Sequence, residues 1–237
     1  MEKGYVLSDK VRIYYEDSKT LGETILFLHG NGEDSSYFNC VKDLFIKKYH
    51  TVFIDTRNHG ESDIVEKDLN FNDISNDVIA VLKYLNIDKV NIIGFSDGAS
   101  TALTIACNYN IAKSLVLVGA NYRVDGMKDE TINLIKAEQE LLKIKRFFSK
   151  EKRNQYRLNK LMLTYPNFDE ELLKNISVPT FNIVGDNDCI KLEHTKSLTS
   201  ILKSKENIFG KATHDLIKEY PLDFYEVVDE FISNLES

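Results

Sequence analysis

Five short, mostly apolar runs constrain this chain more than any other feature: residues 25–28, 51–54, 90–93, 115–118 and 181–184. A strand with one wet face alternates apolar and polar residues, whereas a run apolar nearly throughout belongs to a strand covered on both faces. Helical patterns separate the runs. Across residues 77–85, Val78, Val81, Leu82 and Leu85 fall on one stripe, with Asn72 or Asp73 placed to cap it. Strands alternating with helices of this length predict an α/β fold, a mostly parallel central sheet flanked by helices. Residues 5–7 and 11–15, joined by Ser8-Asp9-Lys10, predict an antiparallel hairpin at a sheet edge, and residues 206–209 a short last strand.

One stretch breaks the alternation. From 122 to 177 no strand pattern appears. Leu134, Leu141 and Phe148 recur at helical spacing, and Leu158, Leu161, Met162 and Tyr165 form an i, i+3, i+4, i+7 stripe. A segment this long is not a plain loop. The expectation is a core of residues 1–121 and 178–237 with a small helical cap or lid, 122–177, inserted after the sixth strand. A total of 237 residues suits one such domain.

Charge and composition exclude several classes. With 30 basic and 37 acidic residues the formal charge is −7, against a nucleic-acid binder that works by neutralising phosphates. No apolar run approaches the roughly 20 residues of a membrane span. The first ten residues lack the apolar stretch of a secretory signal. Cys40, Cys107 and Cys189 form no C-x-x-C pair and read as reduced thiols, so a cytoplasmic location is expected. Oligomeric state is left open.

In parallel sheets, chemistry sits just beyond the carboxyl ends of the strands. After 90–93 comes Gly94-Phe95-Ser96-Asp97-Gly98, followed by small residues. A G-x-S-x-G where a strand turns abruptly into a helix raises the serine on a strained turn, and the glycines avoid collision with the crossing backbone. Ser96 would then project Oγ beyond the sheet, and the Asp97 N–H would point at a developing oxyanion. A serine needs a base and an orienting acid. Of five histidines only His214 follows the last strand patterns. The acid candidates lie in Val184-Gly185-Asp186-Asn187-Asp188. Asp188 is the better placed to reach a neighbouring strand end; Asp186, its competitor for that role, reads as fixing the turn by side chain to backbone bonds.

The order Ser96, Asp188, His214 resembles that of the α/β-hydrolase superfamily. His29-Gly30-Asn31-Gly32 is similar to its oxyanion loop, and Asp55-Thr56-Arg57-Asn58-His59-Gly60-Glu61-Ser62 to its D-x-R/P-G-x-G-x-S turn, with Asn58 where a glycine is usual. The resemblance spans the chain except 122–177, which sits where family caps sit. It implies an oxyanion hole from the N–H groups of Asn31 and Asp97. It further implies a serine hydrolase acting on a small or medium carboxylic ester through an acyl-enzyme on Ser96, with a small-molecule acyl substrate and no cofactor or metal. Thioesterase, amidase and carbon–carbon bond hydrolase share the triad, and a weakly catalytic receptor shares the fold. Ser96 stands where the dehalogenases and epoxide hydrolases of the family carry an aspartate nucleophile, and excludes both.

Other features have quieter readings. His29 and His59 each precede a glycine and read as scaffold histidines; His50 and His194 are expected at the surface. No histidine spacing matches a metal site. Gly30 and Gly32 lack the third glycine of a dinucleotide fingerprint. Cys189 reads as a packing thiol. Tyr37, Phe38 and Tyr122 are candidate pocket walls, and Arg123 is either a contact for an acyl carboxylate or a rim salt bridge. Residues 143–160 carry eight cations and one acid, leaving −14 for the rest of the chain. That segment is either a solvated outer face whose apolar stripe packs inward or an attractor of anionic substrate or an acidic partner.

Overall fold

The computed structural model describes residues 1–235. Its centre is an eight-stranded sheet: β1 (Glu2–Ser8), β2 (Val11–Asp17), β3 (Thr24–Leu28), β4 (His50–Ile54), β5 (Val90–Phe95), β6 (Ala112–Val118), β7 (Thr180–Gly185) and β8 (Lys205–Phe209). The spatial order is β1-β2-β4-β3-β5-β6-β7-β8. β1, β2 and β4 pair antiparallel in turn, and every later pair is parallel.

Helices cover both faces: α1 (Asn39–Ile46), α2 (Phe71–Tyr84), α3 (Asp97–Asn108), α4 (Asp129–Lys145), α5 (Lys150–Thr164), α6 (Glu170–Lys174), α7 (Leu192–Leu202), α8 (Leu216–Glu219) and α9 (Pro221–Ser233). Strand alternation divides the apolar residues between the two layers. Leu26, Leu28, Ile92 and Leu115 pack with α2, α3 and α7, whereas Ile25, Phe27, Ile93 and Val116 pack with α1 and α9. Both faces are therefore dry, which is why the central strands carry so few polar residues.

Local differences from expectation have simple causes. α2 is capped by Asn70, not by Asn72 or Asp73. The Asn70 side chain accepts from the Asp73 N–H at 2.8 Å, because buried Phe71 extends the helix toward the N-terminus. Beyond His214 the chain forms the short α8 and then restarts at Pro221, whose missing N–H costs nothing in the first turn of α9.

Between β6 and β7 lie α4, α5 and α6, and no strand of the sheet. Leu158 and Leu161 of α5 pack on Leu69, Phe71 and Ile74, so this helix rests on the start of α2. The stripe of Leu134, Leu141 and Phe148 does not pack inward. All three are exposed, and the buried positions of α4 are Gln139 and Leu142. No helix among the described residues is long and apolar enough to cross a membrane.

Candidate active site

β5 runs straight into α3, and the junction residue Ser96 sits at φ 53°, ψ −116°. Such a conformation is strained for a residue with a side chain and persists only where its surroundings enforce it. They do so here by close backbone packing. A Cβ on Gly98 would lie 2.0 Å from the Leu28 carbonyl oxygen, and one on Gly94 would lie 2.4 Å from the Gly98 carbonyl oxygen. The Ser96 N–H is held by the Val118 carbonyl at 2.8 Å.

The loops after β5, β7 and β8 bring three side chains together. Ser96 Oγ lies 3.0 Å from His214 Nε2, and His214 Nδ1 lies 2.7 Å from Asp188 Oδ1. The same Asp188 oxygen accepts the Ile190 N–H at 2.8 Å, which fixes the carboxylate against rotation. Asp188 is buried; Asp186 is exposed on the same loop and accepts from the Asn187 side chain. Space for the imidazole comes from Gly119, at φ +58°, where a Cβ would sit 2.7 Å from His214 Cε1. Its place directly after residues 115–118 was a sequence signal of its own, since strand ends are where such sites gather.

Burial alone would lower the His214 pKa, but the bond and charge of Asp188, together with Cys189, overcome it and push the value up to about 10. Burial in the cavity wall pushes Asp97 up to about 6, opposed by the hydrogen bond from Asn31 and the nearby imidazole. His29 and His59 are driven down by burial, to about 4 and about 3. His29 Nε2 accepts the Thr56 N–H at 3.1 Å, and His59 lies against the Arg57 carbonyl, so both brace the turns they sit in.

Ser96, Asp97, Asn31 and His214 line one cavity of about 210 Å³. Asp97 opens α3, so its N–H has no partner within the helix. Asn31 follows β3 in the facing loop, and its side chain donates to Asp97 Oδ2 at 2.8 Å and to the Leu158 carbonyl of α5 at 3.2 Å. Asn58 takes φ +69°, the conformation that favours glycine, and its side chain meets Asn154 of α5. The helical segment over the site is thus tied to both motif loops.

Three pocket expectations need correction, and at Arg123 one of two alternatives holds. Tyr37 and Phe38 belong to the packed core; Tyr37 stacks on Phe95 at 4.3 Å, and it is Phe95 that faces the cavity. Tyr122 turns away to stack on His194 at 4.2 Å, with its hydroxyl on Ser197. Arg123 is engaged by Asp125 at 3.0 Å, the rim salt bridge rather than a substrate contact. The walls come instead from Met127, Ile135, Met162, Tyr165 and Ile190. Two histidines were also misplaced. His194 is buried and accepts the Tyr122 N–H at 3.1 Å, and half-buried His50 bonds Asp17 at 2.8 Å. Their partners lie far away in sequence, so no local pattern announced them.

Among the described residues no lysine or arginine lines the cavity, whereas Glu33, Asp97 and Asp215 do. Cations of 143–160 that pair outside the segment do so with Glu66, Asp68 and Glu140, not at the cavity. Among the described residues, the group with potential metal-ligand spacing is Asp188, Cys189 and His214, whose donor atoms lie within 4.8 Å of one another. Two of those three donors are already bonded to each other.

A covered, mostly parallel sheet with serine, aspartate and histidine on the loops after β5, β7 and β8 defines a class of folds, and sequence comparison reaches the same class. The model of the alpha/beta hydrolase fold family matches residues 23–145, and the chain belongs to that family. It is 35% identical over 107 residues to a Haemophilus influenzae protein named as an esterase/lipase, and 32% identical over 97 residues to 3-oxoadipate enol-lactonase 1 of Acinetobacter baylyi. Those alignments cover 44% and 41% of this chain, but only 37% and 36% of the relatives' own length. Among solved structures, an esterase of Exiguobacterium antarcticum superposes with TM-score 0.83 at 18% identity, each chain covered in full. A meta-cleavage product hydrolase of Pseudomonas fluorescens superposes with TM-score 0.78 at 20% identity, covering 98% and 97%.

Proposed function

We propose that this chain is a serine hydrolase that cleaves a small or medium carboxylic ester through an acyl-enzyme on Ser96. The observation that carries the reading is the unbroken relay from Ser96 Oγ through His214 to Asp188, at 3.0 and 2.7 Å. His214 Nε2 takes the hydroxyl proton while Oγ attacks the acyl carbonyl. The N–H groups of Asn31 and Asp97 receive the oxyanion, and the imidazolium then protonates the leaving group. Water activated by the same histidine releases the acid. Asp188 holds the tautomer and stabilises the imidazolium. A cavity of about 210 Å³ is below the usual range for drug-sized ligands and favours a short acyl group. A carbon–carbon hydrolase acting on a diketo acid would need a partner for the substrate carboxylate, and the cavity lining carries no lysine or arginine.

Intact mass after brief exposure to a fluorophosphonate tests the nucleophile, and an ester, thioester and amide panel then tests the bond. The expected result is one adduct on the native chain, none on Ser96→Ala, and fastest turnover on short-chain esters. An inert native protein would move the receptor reading ahead; faster turnover of thioesters or amides would reassign the bond.

A pH prediction follows from the raised imidazole. The base is neutral His214, so kcat/KM rises as pH climbs through its folded-state value and is expected to be still increasing above pH 7, the ordinary histidine value being about 6.5. In Asp188→Asn burial acts without the opposing carboxylate, and the midpoint is expected to fall. An unchanged midpoint in that variant would show that another group titrates.

A further inference from the structure

The end of α4 and the turn into α5 present bulky apolar side chains to solvent in a stretch rich in cations. Leu141, Ile144, Phe147 and Phe148 are 59%, 68%, 71% and 84% exposed. Packing does not require them, because Gln139 and Leu142 fill the inner side of α4. Contiguous exposed apolar surface of this kind marks a contact site. In sequence Lys143, Lys145, Arg146, Lys150 and Lys152 flank these side chains; Lys143 pairs with Glu140 at 2.6 Å, and the one acid between 141 and 153 is Glu151. Lys145 and Lys150 have no ion-pair partner among the described residues. Arg146 lies over the rings of Phe147 and Tyr156, at 5.0 and 4.3 Å.

We propose that this α4–α5 tip docks on an anionic lipid surface. Aromatic and aliphatic side chains enter the boundary between headgroups and acyl chains while the surrounding lysines meet lipid phosphates, the division of labour of interfacial helices. A twofold contact of this surface with itself fits poorly, since it would bring two clusters of like charge together. The tip also lies apart from the catalytic cavity. Ile135 of α4 lines that cavity, and the end of the helix at Lys145 lies ten positions further on, about 15 Å along its axis. Docking and substrate binding therefore use different side chains of one hairpin, and the proposal stands whether or not the ester reading does.

Co-sedimentation with phosphatidylcholine vesicles, with and without phosphatidylglycerol, measures it without turnover. Partitioning onto the anionic vesicles is expected to exceed that onto neutral ones by about a hundredfold at low salt, and to weaken as salt rises. Lys145→Glu/Lys150→Glu and Phe147→Ser/Phe148→Ser are each expected to lose about tenfold or more, with thermal midpoints at the native value. Equal partitioning on both vesicle types, or binding that survives loss of both phenylalanines, would overturn the proposal. So would self-association in sedimentation velocity that the phenylalanine pair abolishes, with no vesicle binding; that outcome assigns the surface to a second copy. Binding to polyglutamate as tight as to vesicles and indifferent to the phenylalanines would assign it to an acidic protein partner.

Discussion

Ser96→Ala is expected to lower kcat on a good ester substrate by about 10⁵- to 10⁶-fold, and His214→Ala by a similar factor. On the proposed mechanism the two groups act as one unit: the imidazole at 3.0 Å would have no catalytic purpose without the hydroxyl whose proton it would take. The double variant is therefore expected to be scarcely worse than either single one. What is expected to survive is turnover supported by substrate binding and by the proposed oxyanion donors, the backbone N–H groups of Asn31 and Asp97, which remain in all three proteins. Steady-state kinetics with active-site titration would measure this. A loss of only tenfold in Ser96→Ala, or losses that multiply in the double variant, would place the nucleophile elsewhere.

Asp77→Asn is expected to cost about 3–5 kcal/mol of folding stability, through a buried ion pair distant from the reacting atoms. Asp77 is fully buried in α2 and accepts from Arg57 Nε at 2.6 Å and Nη2 at 2.8 Å. Arg57 sits in the turn after β4, itself buried, with only a longer contact of 3.4 Å to Asp73 in reserve. The amide keeps the volume but removes the charge, leaving a guanidinium in a dry site. At about 2–4 °C per kcal/mol for a domain of this size, the thermal midpoint should fall by roughly 10 °C. Replacing both partners by apolar residues should recover much of that, because the penalty arises from the orphaned charge rather than the missing bond. A change below about 1 kcal/mol in Asp77→Asn, read from the urea midpoint, would mean water reaches Arg57.

How far the sequence could be read differs from one residue to the next. Ser96 was legible because its neighbours at −2 and +2 must lack a Cβ, and that demand is written within five adjacent residues. Asp188 and His214 were legible by their places after strand runs. Tyr37 and Phe38 were not: an aromatic pair after an oxyanion loop reads the same whether it faces the cavity or the core. The side was decided by Phe95, 58 residues after Tyr37, against which Tyr37 stacks. His194 is a similar case, its ring held by Tyr122 from 72 residues earlier in the chain.

Periodicity and local sterics were enough for the α/β architecture, the elbow at Ser96 and the helical character of the segment between β6 and β7, because each depends on residues within a few positions of one another. The cavity walls, the cap of α2, the burial of His194 and the outward turn of Leu141 and Phe148 depended on which surfaces meet. Helical spacing shows that a stripe exists but carries no information about its direction. On α4 the contest was between two apolar sides, and the side bearing Leu142 took the interior because α5 lies against it. The other side was left in solvent, among the lysines.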